Sequence, residues 1–199
     1  MKPALVIALA AALAACAHQP NPLDQYEEVR PDVNVVPPDN AAAAQDPARV
    51  ARGRYLVELL GCAVCHTDGA LVGKPDPART LAGSRIGIAY TNPLVNANPG
   101  VLYPPNLTPD TRTGLGRWSD EQVFRFIRTG LDPGGRRHLS VMPWPAFARM
   151  SEDDTRAIVA YLRTLAPIEH AVPAGVAEGT KAPAPFVHFG VYRSRGLGP

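Results

Sequence analysis

Three cysteines in 199 residues are too few for a disulfide framework. Charge of one sign is also missing. Twenty basic against 18 acidic residues leave a formal net charge of +2, which excludes a nucleic-acid binder that works by neutralising phosphates. Aromatic residues make up only 7%, so something besides aromatic side chains is expected to fill part of the interior. Beyond Cys16, no run approaches the ~18 apolar residues that a spanning helix needs. What is abundant is proline (22) and glycine (17), together about a fifth of the chain. That composition predicts long stretches outside helix and sheet, while a hydrophobic share of 46% is ample for a core.

Residues 1–15 combine the positive Lys2 with an apolar run from Ala4 to Ala15 that is too short to span a bilayer, the pattern of a secretory leader. Leu13-Ala14-Ala15-Cys16 resembles the lipobox of bacterial lipoproteins. That resemblance implies lipid attachment at Cys16 and cleavage just before it, hence a place in the bacterial cell envelope on the extracytoplasmic side of a membrane. Residues 16–46 hold five prolines and no sustained apolar period. They read as a flexible Pro/Ala-rich tether reaching about 30 Å on average as a coil and about 90 Å when drawn out.

The body, 47–167, reads as three helices separated by long loops. Asp46-Pro47 is an N-cap with proline at N1, and Val50, Leu56, Leu59 and Leu60 are spaced as its apolar stripe up to Gly61. Ser119-Asp120-Glu121-Gln122 is a capping box, followed by Val123, Phe124, Ile127 and Leu131, with Gly130 as the stop. Ser151 caps the third helix, whose buried face is Ala157, Ile158, Tyr161, Leu162 and Leu165, and Met150 before it is a core staple. Residues 67–117 and 132–150 read as irregular. The tail, 168–199, is rich in proline and glycine, with 186–192 either a strand or a segment packed on the body. Three helices and long loops make a poor core for about 120 residues, so the loops are expected to wrap something.

Cys62-Ala63-Val64-Cys65-His66 supplies it. C-x-x-C-H is the signature of c-type haem attachment. The two thiols add across the haem vinyl groups as thioethers, and the histidine next in sequence is delivered to the iron. A zinc site needs a second ligand pair, a thioredoxin-like dithiol needs a βαβ setting, and two packed thiols leave the histidine unexplained. The sixth ligand then decides the chemistry: a protein side chain closes the iron for electron transfer, and an open position admits a small molecule. Met142, in Ser140-Val141-Met142-Pro143-Trp144-Pro145, sits where flanking prolines are expected to hold a stiff, extended loop. His138, four residues earlier, is its rival. His18 lies in the tether, and His170 and His188 lie in the tail.

The helix with its Cys-Ala-Val-Cys-His segment, Met142 and the final helix resemble class I cytochromes c. More narrowly, the run from Asn106-Leu107-Thr108-Pro109-Asp110 through Met142-Pro143-Trp144-Pro145 to Pro167 is similar to the modules in cytochrome subunits of bacterial periplasmic alcohol and sugar-acid dehydrogenases. The resemblance covers about 49–167. It implies an all-α class I cytochrome c fold, three main helices and long loops wrapped around one covalent haem c. It implies Cys62 and Cys65 as haem attachments, His66 and Met142 as axial iron ligands, and Gly53 meeting Ile158 and Tyr161 where the terminal helices cross. The expected function is non-enzymatic: single electrons carried between redox proteins, a periplasmic or membrane dehydrogenase, an oxidase or another cytochrome. The rivals are a subunit fixed in a dehydrogenase complex and an open-haem enzyme or sensor. Arg117, Arg125, Arg128, Arg136 and Arg137 are expected to be mostly solvated charge, otherwise a docking face or haem-propionate partners.

Overall fold

The computed structural model describes residues 46–138 and 141–190. The leader, Cys16 and the tether up to residue 45 lie outside them. The described residues hold five α-helices, in chain order α1 (Pro47–Leu59), α2 (Cys62–His66), α3 (Asp120–Thr129), α4 (Trp144–Phe147) and α5 (Glu152–Thr164). Three short strands, β1 (Gly87–Ala89), β2 (Val101–Leu102) and β3 (Phe186–His188), form one sheet in the order β2-β1-β3.

The local signals work as read. The Asp46 carboxylate accepts from the Ala48 N–H at 3.0 Å, with Pro47 in the first turn of α1. Gly61, at φ 66°, turns the chain directly from α1 into α2, a conformation that costs a glycine little. Ser119 and Gln122 close a reciprocal capping box on α3, at 3.2 and 2.8 Å, and Gly130 ends it in the left-handed region. Ser151 caps α5 through the Asp154 N–H.

One residue of the α1 stripe is corrected. Leu59 is 65% exposed, whereas Val57 is fully buried. The packed face of α1 runs through Gly53, Leu56, Val57 and Leu60, and Leu59, six positions past Gly53, lies about 120° round the helix from it and off that face. That face crosses α5. A Cβ added at Gly53 would overlap the Ala157 carbonyl and come within 2.8 Å of the Tyr161 Cβ. The nearest atoms to Gly53 thus belong to Ala157 and Tyr161. Ile158 packs in the same core cluster and also lines the cavity described below. The core joins Leu56, Val57, Ala63 and Leu81 to Ala157, Tyr161, Leu162 and Leu165, and Val159 on the other side of α5 packs on Val123 and Phe124 of α3.

The long segment between α2 and α3, expected to be irregular, holds β1, β2 and two short 3-10 turns, and is tied further by side chains. Asn106 is its knot. Its amide donates to Thr113 Oγ1 (2.9 Å) and to the Ile168 carbonyl (2.7 Å), and its oxygen accepts from the Thr108 N–H and hydroxyl. Asp110 accepts from the Thr113 N–H and hydroxyl, which together hold its carboxyl below the usual range. The segment after Pro167 is tied to this loop. β3 pairs in parallel with β1, Ile88 opposite Val187, and the Tyr103 hydroxyl donates to the Ala184 carbonyl at 2.7 Å. Buried His170 accompanies them, its Nδ1–H donating to the Ala82 carbonyl at 3.0 Å.

Candidate haem site

A solvent-open cavity of about 440 Å³ lies between α1, α3, α5 and the loop at 102–115. Its wall is largely apolar, with Val57, Leu102, Leu107, Ile127, Ile158 and Leu162 among the side chains. Among the described residues no Asp, Glu, Lys or Arg lines it. A concave, mostly apolar cleft of this size suits a large apolar ligand.

The wall brings together four of the five residues singled out in the sequence: Cys62, Cys65, His66 and Met142. Cys16 lies outside the described residues. His66 is 5% exposed, and its Nδ1–H donates to the Pro105 carbonyl at 2.8 Å. Burial pushes the imidazole pKa down and keeps the ring neutral. With the proton fixed on Nδ1, Nε2 keeps its lone pair, as a metal-binding histidine requires. The two thiols are unpaired. Burial pushes Cys62 up to about 11 and raises Cys65 as well, so both are neutral thiols rather than thiolates. Zinc finds no home here: among the described residues no three His, Cys, Asp or Glu side chains cluster to hold a metal ion. Two thiols, a neutral imidazole and a thioether around one apolar cavity suit a large, mostly apolar group carrying an iron that takes nitrogen and sulfur ligands.

Met142 is presented differently from expectation. The prolines do not extend the chain. Pro143 is the N-cap of α4, Pro145 falls in its first turn, and the Trp144 N–H donates to the Met142 carbonyl at 2.8 Å. Proline is tolerated in a first turn because the N–H it lacks has no helical partner there anyway. α4 sits against α3, with Trp144 Nε1–H donating to the Phe126 carbonyl at 3.1 Å. Arg128 fastens the other end of this loop. Its guanidinium donates to the carbonyls of Met150 (2.7 Å) and Ala148 (3.1 Å) and to Thr155 Oγ1 (3.4 Å). Arg128 is therefore a structural clamp rather than solvated charge. Arg136 pairs with Asp132, Arg137 donates to the Thr129 carbonyl, and Arg117 and Arg125 are exposed.

His138 lines the same cavity, but its Nε2–H donates to Asp132 Oδ2 at 3.1 Å. That bond, aided by Arg136, holds the Asp132 carboxyl down at about 2. The aromatic wall is less legible in the sequence. Phe126 stands at the centre of three edge-to-face contacts, with Trp118, His138 and Trp144 at centroid distances of 5.3, 5.1 and 5.8 Å. Three positions past Val123 and beside Ile127, it lines the cavity with both.

The cytochrome c family model matches residues 50–166, more than half of the chain. The chain belongs to the cytochrome c family. The mostly helical fold, with its one small sheet, is that of a class I cytochrome c, and the family carries haem c bound covalently. The cytochrome c subunit of the alcohol dehydrogenase (quinone) of Gluconobacter oxydans (strain 621H) is 37% identical over 123 residues, 61% of this chain and 23% of that protein. The fructose dehydrogenase cytochrome subunit of Gluconobacter japonicus is 29% identical over 156 residues, 78% of this chain and 28% of that subunit. A diheme cytochrome c-type protein of Cereibacter sphaeroides is 34% identical over 123 residues, 61% of this chain and 38% of its own length. The chain thus spans about a quarter to two-fifths of these relatives.

Proposed function

We propose that this cytochrome c carries one haem, bound through thioethers at Cys62 and Cys65 with His66 Nε2 and the Met142 thioether on its iron, and passes single electrons between redox proteins. The observation that carries this reading is the meeting of one Cys-Ala-Val-Cys-His segment and Met142 on the wall of one uncharged cavity. When bound, haem supplies a one-electron iron couple. The chain's own residues set its conditions. The Pro105 carbonyl holds His66 in the tautomer that offers Nε2. The apolar wall excludes water and disfavours the more highly charged ferric centre, and a neutral thioether ligand acts in the same direction, raising the potential. Trp144 and Arg128 anchor the Met142 loop at both ends, so the ligand set need not rearrange when the electron arrives or leaves.

The test is Met142→Ala. The variant is expected to keep its covalent haem and to bind carbon monoxide when reduced, where the wild type does not. A wild type that binds carbon monoxide as readily contradicts the electron carrier and favours an open-haem enzyme or sensor.

The names of the relatives support a dehydrogenase as electron donor, with this chain either a mobile carrier or a subunit fixed in the complex. A leashed carrier is favoured by the proline-rich stretch at 16–46. Cys16, preceded by Leu13-Ala14-Ala15, is the proposed lipid attachment to a membrane of the cell envelope. High-salt washing is then expected to leave the protein on membranes. Release into the wash contradicts a lipid anchor.

A further inference from the structure

We propose that Asp132 is a positioning residue that keeps His138 off the haem iron and so leaves the sixth position to Met142. This rests on the reading of Met142 given above. Two side chains able to ligate iron, four residues apart, line one cavity. Imidazole is a good ligand for both iron oxidation states, and a thioether is the weaker, softer donor. A chain that presents both needs something to hold the imidazole back.

The Asp132 carboxylate does so by choosing which ring nitrogen is free. It can only accept, so His138 Nε2 must carry the proton in the 3.1 Å bond to Oδ2. In the neutral ring the remaining lone pair is on Nδ1, beside Cβ, where the ring has least reach. Asp132 is itself fixed on every side. Its Oδ1 accepts from the N–H groups of Gly134 (3.0 Å) and Arg136 (2.9 Å), and Oδ2 accepts from Arg136 Nε at 3.0 Å. The His138 N–H donates to the Gly130 carbonyl at 2.9 Å, and the ring meets the edge of Phe126. The turn from 130 to 138 is thus built around one carboxylate whose outward oxygen holds the imidazole. With its carboxyl down at about 2, Asp132 stays ionised at all ordinary pH values, and the latch stays closed.

The experiment follows the weak near-infrared band that marks methionine on ferric haem, together with the ferric electron paramagnetic resonance spectrum, in the purified holoprotein. The wild type is expected to show the band. Asp132→Ala is expected to lose most of it and to gain the signal of a bis-imidazole haem. Asp132→Ser keeps an oxygen for the Gly134 and Arg136 amides but is too short to reach Nε2, and is expected to behave the same way. Adding His138→Phe, which keeps a ring against Phe126 but no nitrogen, is expected to restore the band in both. A full band in the Asp132 variants overturns the latch. So does a loss that His138→Phe does not restore, which would make Asp132 a shaper of the turn and nothing more. A wild type without the band fails earlier and separately, at Met142 itself.

Discussion

With Cys62→Ala and Cys65→Ala together, the chain is expected to lose its cooperative thermal transition when produced without haem. The wall of the 440 Å³ cavity would then face either a void or water. A pocket open to solvent takes in water, so its apolar wall loses the contacts that a bound group would make, a loss on the order of several kcal/mol. Net stabilities of single domains run to about 5–15 kcal/mol in total. The apo chain therefore has little or nothing left to hold α3 and the 102–115 loop in place. The terminal helices are the best survivors, since α1 and α5 pack directly on each other through Gly53 and Ala157. Far-ultraviolet circular dichroism should show residual helix melting over a broad range, and calorimetry no sharp peak. A sharp transition near that of the holoprotein would mean that the loops pack without the cofactor.

Gly53→Val is expected to be the most damaging single substitution away from the cavity. Glycine is used here for proximity rather than for an unusual backbone angle, because α1 is regular through this position. An added Cβ would overlap the Ala157 carbonyl, which belongs to the backbone of α5 and cannot rotate aside as a side chain could. The two helices must separate, and Val57, Tyr161 and Ile158 lose contacts along with them. The expected cost is about 3 kcal/mol, which for a domain of this size lowers Tm by about 10 °C. Gly53→Ala should move Tm the same way by a smaller amount, since its methyl already meets the carbonyl. An unchanged Tm in the valine variant would show that α1 can shift along α5 at no cost.

These two expectations differ in how far they could be read from the residues alone. The Cys-Ala-Val-Cys-His run, the capping box at Ser119 and the stops at Gly61 and Gly130 are local signals, complete within a few positions, and the structure repeats the cap and the stops. The cavity wall is not local. Leu102 and Tyr103 reach the wall from β2 and the position after it, in a sheet whose third strand starts at Phe186, and a three-residue parallel pair such as Gly87 with Phe186 leaves no periodic trace. Arg128 looks like any basic residue in the last turn of a helix until its partners at Ala148 and Met150 are seen. Pro143 and Pro145 misled in a specific way. Each stiffens the chain, but a proline at the start of a helical turn stiffens it toward the helix rather than away from it. His170 carries no pattern at all. It is buried because its partner, the Ala82 carbonyl, is brought to it by the loop.

A single haem held in this cavity between His66 and Met142 carries its own spectroscopic signature. The most direct measurement is the near-infrared absorption and magnetic circular dichroism spectrum of the ferric wild-type holoprotein at neutral pH. A low-spin haem with the methionine charge-transfer band is the expected result. A high-spin spectrum, or a low-spin spectrum of the bis-imidazole kind, would contradict it.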